Sequence, residues 1–223
     1  MTQVLHPCLD ENGNPVVVRR PTQSTSRGTW LDPRACAVCS RTEEPDLPDV
    51  LNDCAWDDTV CLSENPMEWI GRIPDALPDE PDFVLPPGFR ATSGCAVIEP
   101  DGRVWVALPS NQFCNQYATF PKGRLEPMLS LLQNACKETW EETGLVVEPV
   151  AFLADIRRTR VVTRYFVARR VSGTPALCGW ETQAVALVPV GQLAEFVNSP
   201  NDRKLIDPIA DRLASDDNRI RLR

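Results

Sequence analysis

The sequence is poor in several things that other kinds of protein need. It has one histidine in 223 residues, His6, so the later part of the chain has no histidine to serve as base, nucleophile or metal ligand. No run of apolar residues approaches the ~18 that a membrane-spanning helix requires, and no membrane partner is expected. The opening stretch MTQVLHPCLDENGNP lacks both a basic start and an apolar core, so a secretory signal is not expected. A basic surplus is also missing: 23 Lys and Arg stand against 31 Asp and Glu, for a net charge of −8. A dedicated nucleic-acid surface needs a basic face, and none is expected. No internal repeat is visible.

The nine cysteines are odd in number and scattered, which points to reduced thiols and a cytoplasmic location. Cys95, Cys114, Cys136 and Cys178 read as small core residues. Cys36, Cys39, Cys54 and Cys61 form C-x2-C-x14-C-x6-C. The first pair has zinc-knuckle spacing, and His6 and Cys8 offer alternative ligands. The second spacing is too long for a common zinc ribbon. Structural Zn²⁺ and unconnected thiols are therefore both open, and the spacing favours thiols.

Charge and proline divide the chain. Residues 1–88 carry 16 acidic and 6 basic side chains, a balance of −10, and 12 of the 21 prolines. This acidic, proline- and cysteine-containing extension reads as an accessory region that is loop-rich or partly disordered. Residues 89–223 balance at +2, as suits binding of a polyanionic small molecule. Within them, residues 91–99 and 103–108 flank Pro100-Asp101-Gly102 and predict an antiparallel hairpin. Residues 146–153, 159–169 and 184–189 predict further strands, and 191–198 and 204–214 predict helices. Strands mixed with helices point to a sheet covered on both faces.

Residues 121–145, PKGRLEPMLSLLQNACKETWEETGL, are the most informative stretch. Ser130 and Gln133 form an S-x-x-Q capping box at the start of a helix. Gly144 is placed to end it in a left-handed turn. Leu131, Leu132, Ala135, Cys136, Thr139 and Trp140 make one mostly apolar face. On the other, Glu138, Glu141 and Glu142 fall at i, i+3 and i+4, within an arc of roughly 100°. Like charges at this spacing repel, and carboxylates in a last helical turn oppose the helix dipole. A locally unfavourable cluster in an otherwise consistent helix marks a functional site, and a hard divalent cation would compensate it.

The stretch resembles the Nudix box, G-x5-E-x7-R-E-U-x-E-E-x-G-U, where U is a bulky apolar residue. Gly123 takes the first position, Lys137 the Arg position, and Glu138 the Glu after it. Glu141 and Glu142 take the paired Glu, Gly144 the last Gly, and Leu145 the final U. Leu129 stands where the first Glu belongs, Lys137 replaces Arg, and Thr139 replaces an apolar residue. Glu126 is a nearby carboxylate that could replace the missing charge.

The resemblance implies an α/β fold, an α/β/α sandwich with a mixed sheet over residues 89–200, followed by a C-terminal helix and tail over 201–223. It implies Mg²⁺ or Mn²⁺ held by Glu138, Glu141 and Glu142, and hydrolysis of a diphosphate linkage in a nucleoside diphosphate joined to another moiety. ADP-ribose or another nucleotide sugar, a dinucleoside polyphosphate, an inositol pyrophosphate and a nucleoside triphosphate all stay open as substrates. Glu181, in a loop before a strand, is a further candidate for metal ligand or general base, or a solvated glutamate. A homodimer is left open. A rival reading is a non-catalytic nucleotide sensor with a degenerate box.

Other candidates come from the residues themselves. Lys122 and Arg124 flank Gly123 and would touch phosphates or cap the loop. Alternation along a strand would put Arg158, Arg160 and Arg164 on one face. Arg160 and Arg164 are thus phosphate-binding candidates, against a solvated sheet edge. Phe113, Tyr117 and Phe120 are candidates for an aromatic clamp, or for core.

Overall fold

The computed structural model describes residues 3–60, 62, 65–111 and 117–215. Its strands are β1 (Leu5–Leu9), β2 (Pro15–Val17), β3 (Ala37–Ser40), β4 (Val50–Leu51), β5 (Cys54–Ala55), β6 (Arg90–Val97), β7 (Arg103–Pro109), β8 (Lys122–Arg124), β9 (Leu145–Arg157), β10 (Val161–Gly173) and β11 (Thr182–Pro189). Its α-helices are α1 (Arg27–Leu31), α2 (Pro66–Ile70), α3 (Leu131–Thr143), α4 (Leu193–Phe196) and α5 (Ile206–Ala214).

Two sheets form the centre. One is mixed, in the order β8-β6-β10-β9. In it β6 runs parallel to β10, while β8 and β9 are antiparallel to their neighbours. The other is antiparallel, in the order β3-β11-β7. Successive strand residues point to opposite faces, and both faces here are covered. Cys95, Val97, Trp105, Phe166, Ala168, Val185 and Leu187 pack into one apolar layer with Leu132, Ala135 and Cys136 of α3. Ala96, Ile98, Val104, Val106, Tyr165, Val167, Ala186 and Val188 pack into the other with Leu193 of α4 and Ile209 of α5. The result is the expected α/β/α sandwich. It explains why the strands are apolar almost throughout and do not alternate.

The predicted hairpin over 91–108 is not one. After a single bridge between Ile98 and Val104, β6 enters the mixed sheet and β7 the antiparallel one. Both edges of β6 are already taken, by β8 and β10, so β7 pairs with β11 instead. Strand pairing of this kind depends on partners tens of residues away, which a local turn signal does not contain.

Residues 1–88 supply few regular elements but much packing. β3 completes the three-stranded sheet. Trp30, fully buried, stacks 5.9 Å from Trp105 and 6.3 Å from Trp56. Such aromatic pairs contribute about 0.5–1.5 kcal/mol each beyond their burial. Trp69 lies 6.1 Å from Trp140 on α3. Gln133 of α3 donates to the Ile73 carbonyl at 3.0 Å and to Asp75 at 2.8 Å.

The zinc reading is not supported. Cys36 and Val38 contact one apolar layer, Ala37 and Cys39 the other. A spacing of three in an extended segment therefore sends the two thiols to opposite faces. Among the described residues, neither Cys36, Cys39 nor Cys54 belongs to any set of three ligands close enough to hold a metal. Cys61 lies outside the described residues. The seven described cysteines are all free. Among the described residues, no helix is long and apolar enough to cross a membrane.

Candidate active site

The helix α3 starts and stops where its sequence dictates. Ser130 Oγ accepts from the Gln133 amide at 3.2 Å, and Gln133 Oε1 accepts from the Ser130 amide at 3.0 Å. Gly144 closes the helix at φ 72°, and its amide donates to the Trp140 carbonyl at 2.7 Å. A Cβ at this glycine would overlap the Thr174 carbonyl. Thr139, where a bulky apolar residue was expected, is fully buried and donates its hydroxyl to the Ala135 carbonyl at 2.7 Å. That bond satisfies its polar atom inside the helix.

The outer face of α3 forms one wall of a cleft of about 640 Å³. Glu138, Glu141 and Glu142 line it, together with Lys122, Gly123 and Arg124 of β8 and with Glu181. Gly123 is essential to this closeness: a Cβ there would overlap the Glu138 carboxylate. Carboxylate oxygens of Glu126, Glu138 and Glu141 lie within 4.8 Å of one another, and this set could hold a metal ion. The set differs from the expected trio. Glu142 turns towards β8, where its Oε2 accepts from the Lys122 amide at 3.2 Å.

Leu129 and Glu126 sit in different surroundings. Leu129 is buried in the apolar layer under α3. Glu126, three residues earlier, pairs with Lys137 at 2.7 Å. Its amide is held by Asn134 Oδ1 at 3.0 Å. Lys137, whose side chain is 3% exposed, also pairs with Glu141. Two carboxylates, Glu126 and Glu141, therefore pair with one buried cation.

The cluster is electrostatically strained. Burial, then the charges of Glu142 and Glu141, push Glu138 up to about 9. Burial, with a smaller contribution from Glu181, pushes Glu142 up to about 8 against the pull of Lys122. Half-buried carboxylates that repel one another form a hard oxygen donor set, and a divalent cation would relieve them. The glycine cradle and the donor chemistry both fit such an ion.

The model of the NUDIX domain family matches residues 88–208, which is more than half of the chain. The chain belongs to the Nudix family. No curated protein matches the sequence. Among solved structures, a NUDIX hydrolase from Nitrosomonas europaea is 17% identical, covers 55% of this chain and 89% of its own, and has a TM-score of 0.47. An ADP-ribose pyrophosphatase from Streptococcus suis is 18% identical, with coverage of 57% and 93% and a TM-score of 0.47. An Ap4A hydrolase from C. elegans is 15% identical, with coverage of 56% and 98% and a TM-score of 0.46.

The arginine candidates lie elsewhere. Arg160 is exposed in the turn before β10, so the assumed alternation does not reach it. Arg164 is 1% exposed, pairs with Asp155 and Glu80 at 2.7 Å each, and sits 5.0 Å from the rings of Phe83 and Phe152. Neither lines the cleft. Of the proposed aromatic clamp, Phe120 is buried against Tyr165 at 6.3 Å. Tyr117 is exposed outside the cleft, and Phe113 lies outside the described residues.

The cleft also contains residues not among the sequence candidates for the site. Glu11, from the β1–β2 turn, reaches it, as do Leu177, Gly179 and Trp180, and Trp140 of the mostly apolar helix face lines it too. A Gly-Trp pair beside Glu181 was a usable signal for Gly179 and Trp180. Nothing local marks Glu11.

Proposed function

We propose that this Nudix hydrolase cleaves a diphosphate linkage in a nucleoside diphosphate joined to another moiety, with Mg²⁺ or Mn²⁺ as cofactor. The supporting observation is the convergence of Glu126, Glu138 and Glu141 beside the Gly123 cradle. Glu138 and Glu141 would hold the cation, with Glu126 and Glu142 completing its surroundings. When bound, the ion supplies charge neutralisation at phosphate oxygens and a water of lowered pKa.

The chain's own groups supply the rest. Lys137 pairs with both Glu126 and Glu141 and so ties the two carboxylates to one buried cation. Lys122 steadies the loop: its ammonium donates to Thr119 Oγ1 at 2.6 Å, so it caps structure more than it meets substrate. Arg124, exposed on the cleft wall, is the cation that would receive a phosphate. Glu181 is the base that would accept a proton from the attacking water. Its backbone is fixed, because the Ser110 amide donates to the Glu181 carbonyl at 2.8 Å. The odd number of scattered cysteines, with those among the described residues free, supports a reducing, cytoplasmic setting.

Incubation with a panel of diphosphate-linked compounds, with Mg²⁺ or Mn²⁺, tests this reading beside a Glu141→Gln/Glu142→Gln control. Metal-dependent cleavage that the control loses is the expected result. Tight binding of one compound with no cleavage of any would instead support a sensor.

A further inference from the structure

Five of the six tryptophans are consumed by the fold. Trp30, Trp56 and Trp105 pack on one another, and Trp69 packs on Trp140. Trp180 has no ring partner among the described residues and belongs to neither apolar layer. It stands half-buried in the wall of the catalytic cleft.

Its backbone is nonetheless fixed. The Trp180 carbonyl accepts from Ser110 Oγ at 2.9 Å. The preceding Gly179 amide donates to the Glu141 carbonyl at 2.7 Å. A Cβ on Gly179 would approach that carbonyl to 2.8 Å, so glycine lets the loop lie against the end of α3. Leu177, 44% exposed, lines the same wall. An aromatic ring on a fixed backbone, with no ring partner among the described residues and outside both apolar layers, is poorly explained by stability. It is well suited to stacking on a flat ligand group, as aromatic side chains do with nucleobases.

The charges of the cleft point the same way. Glu11, Glu126, Glu138, Glu141, Glu142 and Glu181 face only Lys122, Arg124 and Lys137. Lys122 and Lys137 are already bonded within the protein. An inositol pyrophosphate carries many phosphates and needs many cations around it. A nucleotide carries few and offers a flat base.

We infer that Trp180 is the platform for the base of a nucleoside-containing substrate whose diphosphate lies at the Glu138–Glu141 cluster. This rests on the hydrolase reading and narrows its substrate class. Stacking fixes one end of the substrate and thereby sets which bond reaches the carboxylates.

The test uses the full chain and two probes, AMP and ribose 5-phosphate, which differ by the base. Binding is followed by calorimetry in Mg²⁺ for wild type, Trp180→Ala and Trp180→Phe, with circular dichroism to confirm that each variant folds. Wild type should bind AMP more tightly than ribose 5-phosphate. W180A should weaken AMP about tenfold or more and leave ribose 5-phosphate unchanged. W180F should keep most of the AMP affinity. Equal AMP affinity in wild type and W180A, or no preference of the wild type for AMP, overturns the platform. Hydrolysis of the diphosphate panel is scored separately. Turnover without an effect of Trp180 on AMP refutes the platform alone, whereas base-dependent binding without any turnover refutes the hydrolase reading alone.

Discussion

Gly123 and the Glu138 carboxylate share a space that leaves no room for a methyl group. One residue belongs to a short edge strand and the other to the middle of α3, fifteen positions later. Their closeness lets a sheet edge and an acidic helix face form one cleft. Gly123→Ala should therefore displace Glu138 or push the β8 loop outward. A misplacement of about 1 Å costs on the order of 10²-fold in rate. Turnover should fall by about that factor, with the far-ultraviolet circular dichroism unchanged. A variant that keeps full activity would show that the contact is incidental.

Glu126 is predicted to do the work of the box carboxylate that Leu129 replaces. Glu126→Gln leaves Lys137 with Glu141 alone. Loss of a group that orients metal ligands typically costs 10- to 100-fold in affinity, as a rough guide. The Mg²⁺ concentration for half-maximal rate should rise about tenfold, with a much smaller change in the maximal rate. A titration of rate against Mg²⁺ measures both. An unmoved half-point would remove Glu126 from the site.

The raised carboxylates make stability depend on pH, and the sign is fixed. In the unfolded chain Glu138 and Glu142 titrate near the ordinary 4.5; in the folded, metal-free protein they titrate near about 9 and about 8. Between those values the folded state binds more protons, so these groups lower stability as pH rises through that window. A cation reverses the effect by stabilising the ionised carboxylates. The rise in thermal midpoint caused by Mg²⁺ should grow with pH across the window. Thermal scans in chelator and in Mg²⁺ at several pH values would show it, and an increment independent of pH would contradict it.

Arg164 should matter to stability and not to substrate. Arg164→Leu leaves Glu80 and Asp155 without their cation. The cost should be about 2 kcal/mol, below the roughly 3–5 kcal/mol of breaking a fully buried pair, because Asp155 is partly exposed. Denaturant unfolding measures it. Arg160→Ala should change neither stability nor Michaelis constant.

The first eighty residues should be needed for folding. Removing them uncovers Trp105 and strips β3 from the edge of β11. An exposed, apolar strand edge promotes association. The truncated chain should elute as aggregate on gel filtration. A monodisperse, fully active fragment would show that this region is dispensable.

What the sequence made legible was local. The capping box of Ser130 and Gln133, the Gly144 stop and the acidic face of α3 are all written within fifteen residues of one another. The strands were legible as apolar runs, but their partners were not. β6 and β7 separate because β10 and β8 compete for β6. The arginines misled because a turn interrupts the assumed strand at residues 158–160, and because only the fold brings Glu80 to Arg164. Trp180 is not legible in the sequence because its significance lies in having no ring partner among the described residues, which appears only once the other tryptophans have theirs.

The rate of diphosphate cleavage against Mg²⁺ concentration, for wild type and Glu138→Gln, tests the central claim most directly. The account predicts no cleavage in chelator, a rate that saturates with Mg²⁺, and at least about a hundredfold loss in the variant. Cleavage that persists in chelator, or a variant as fast as wild type, would contradict a catalytic metal site at this helix.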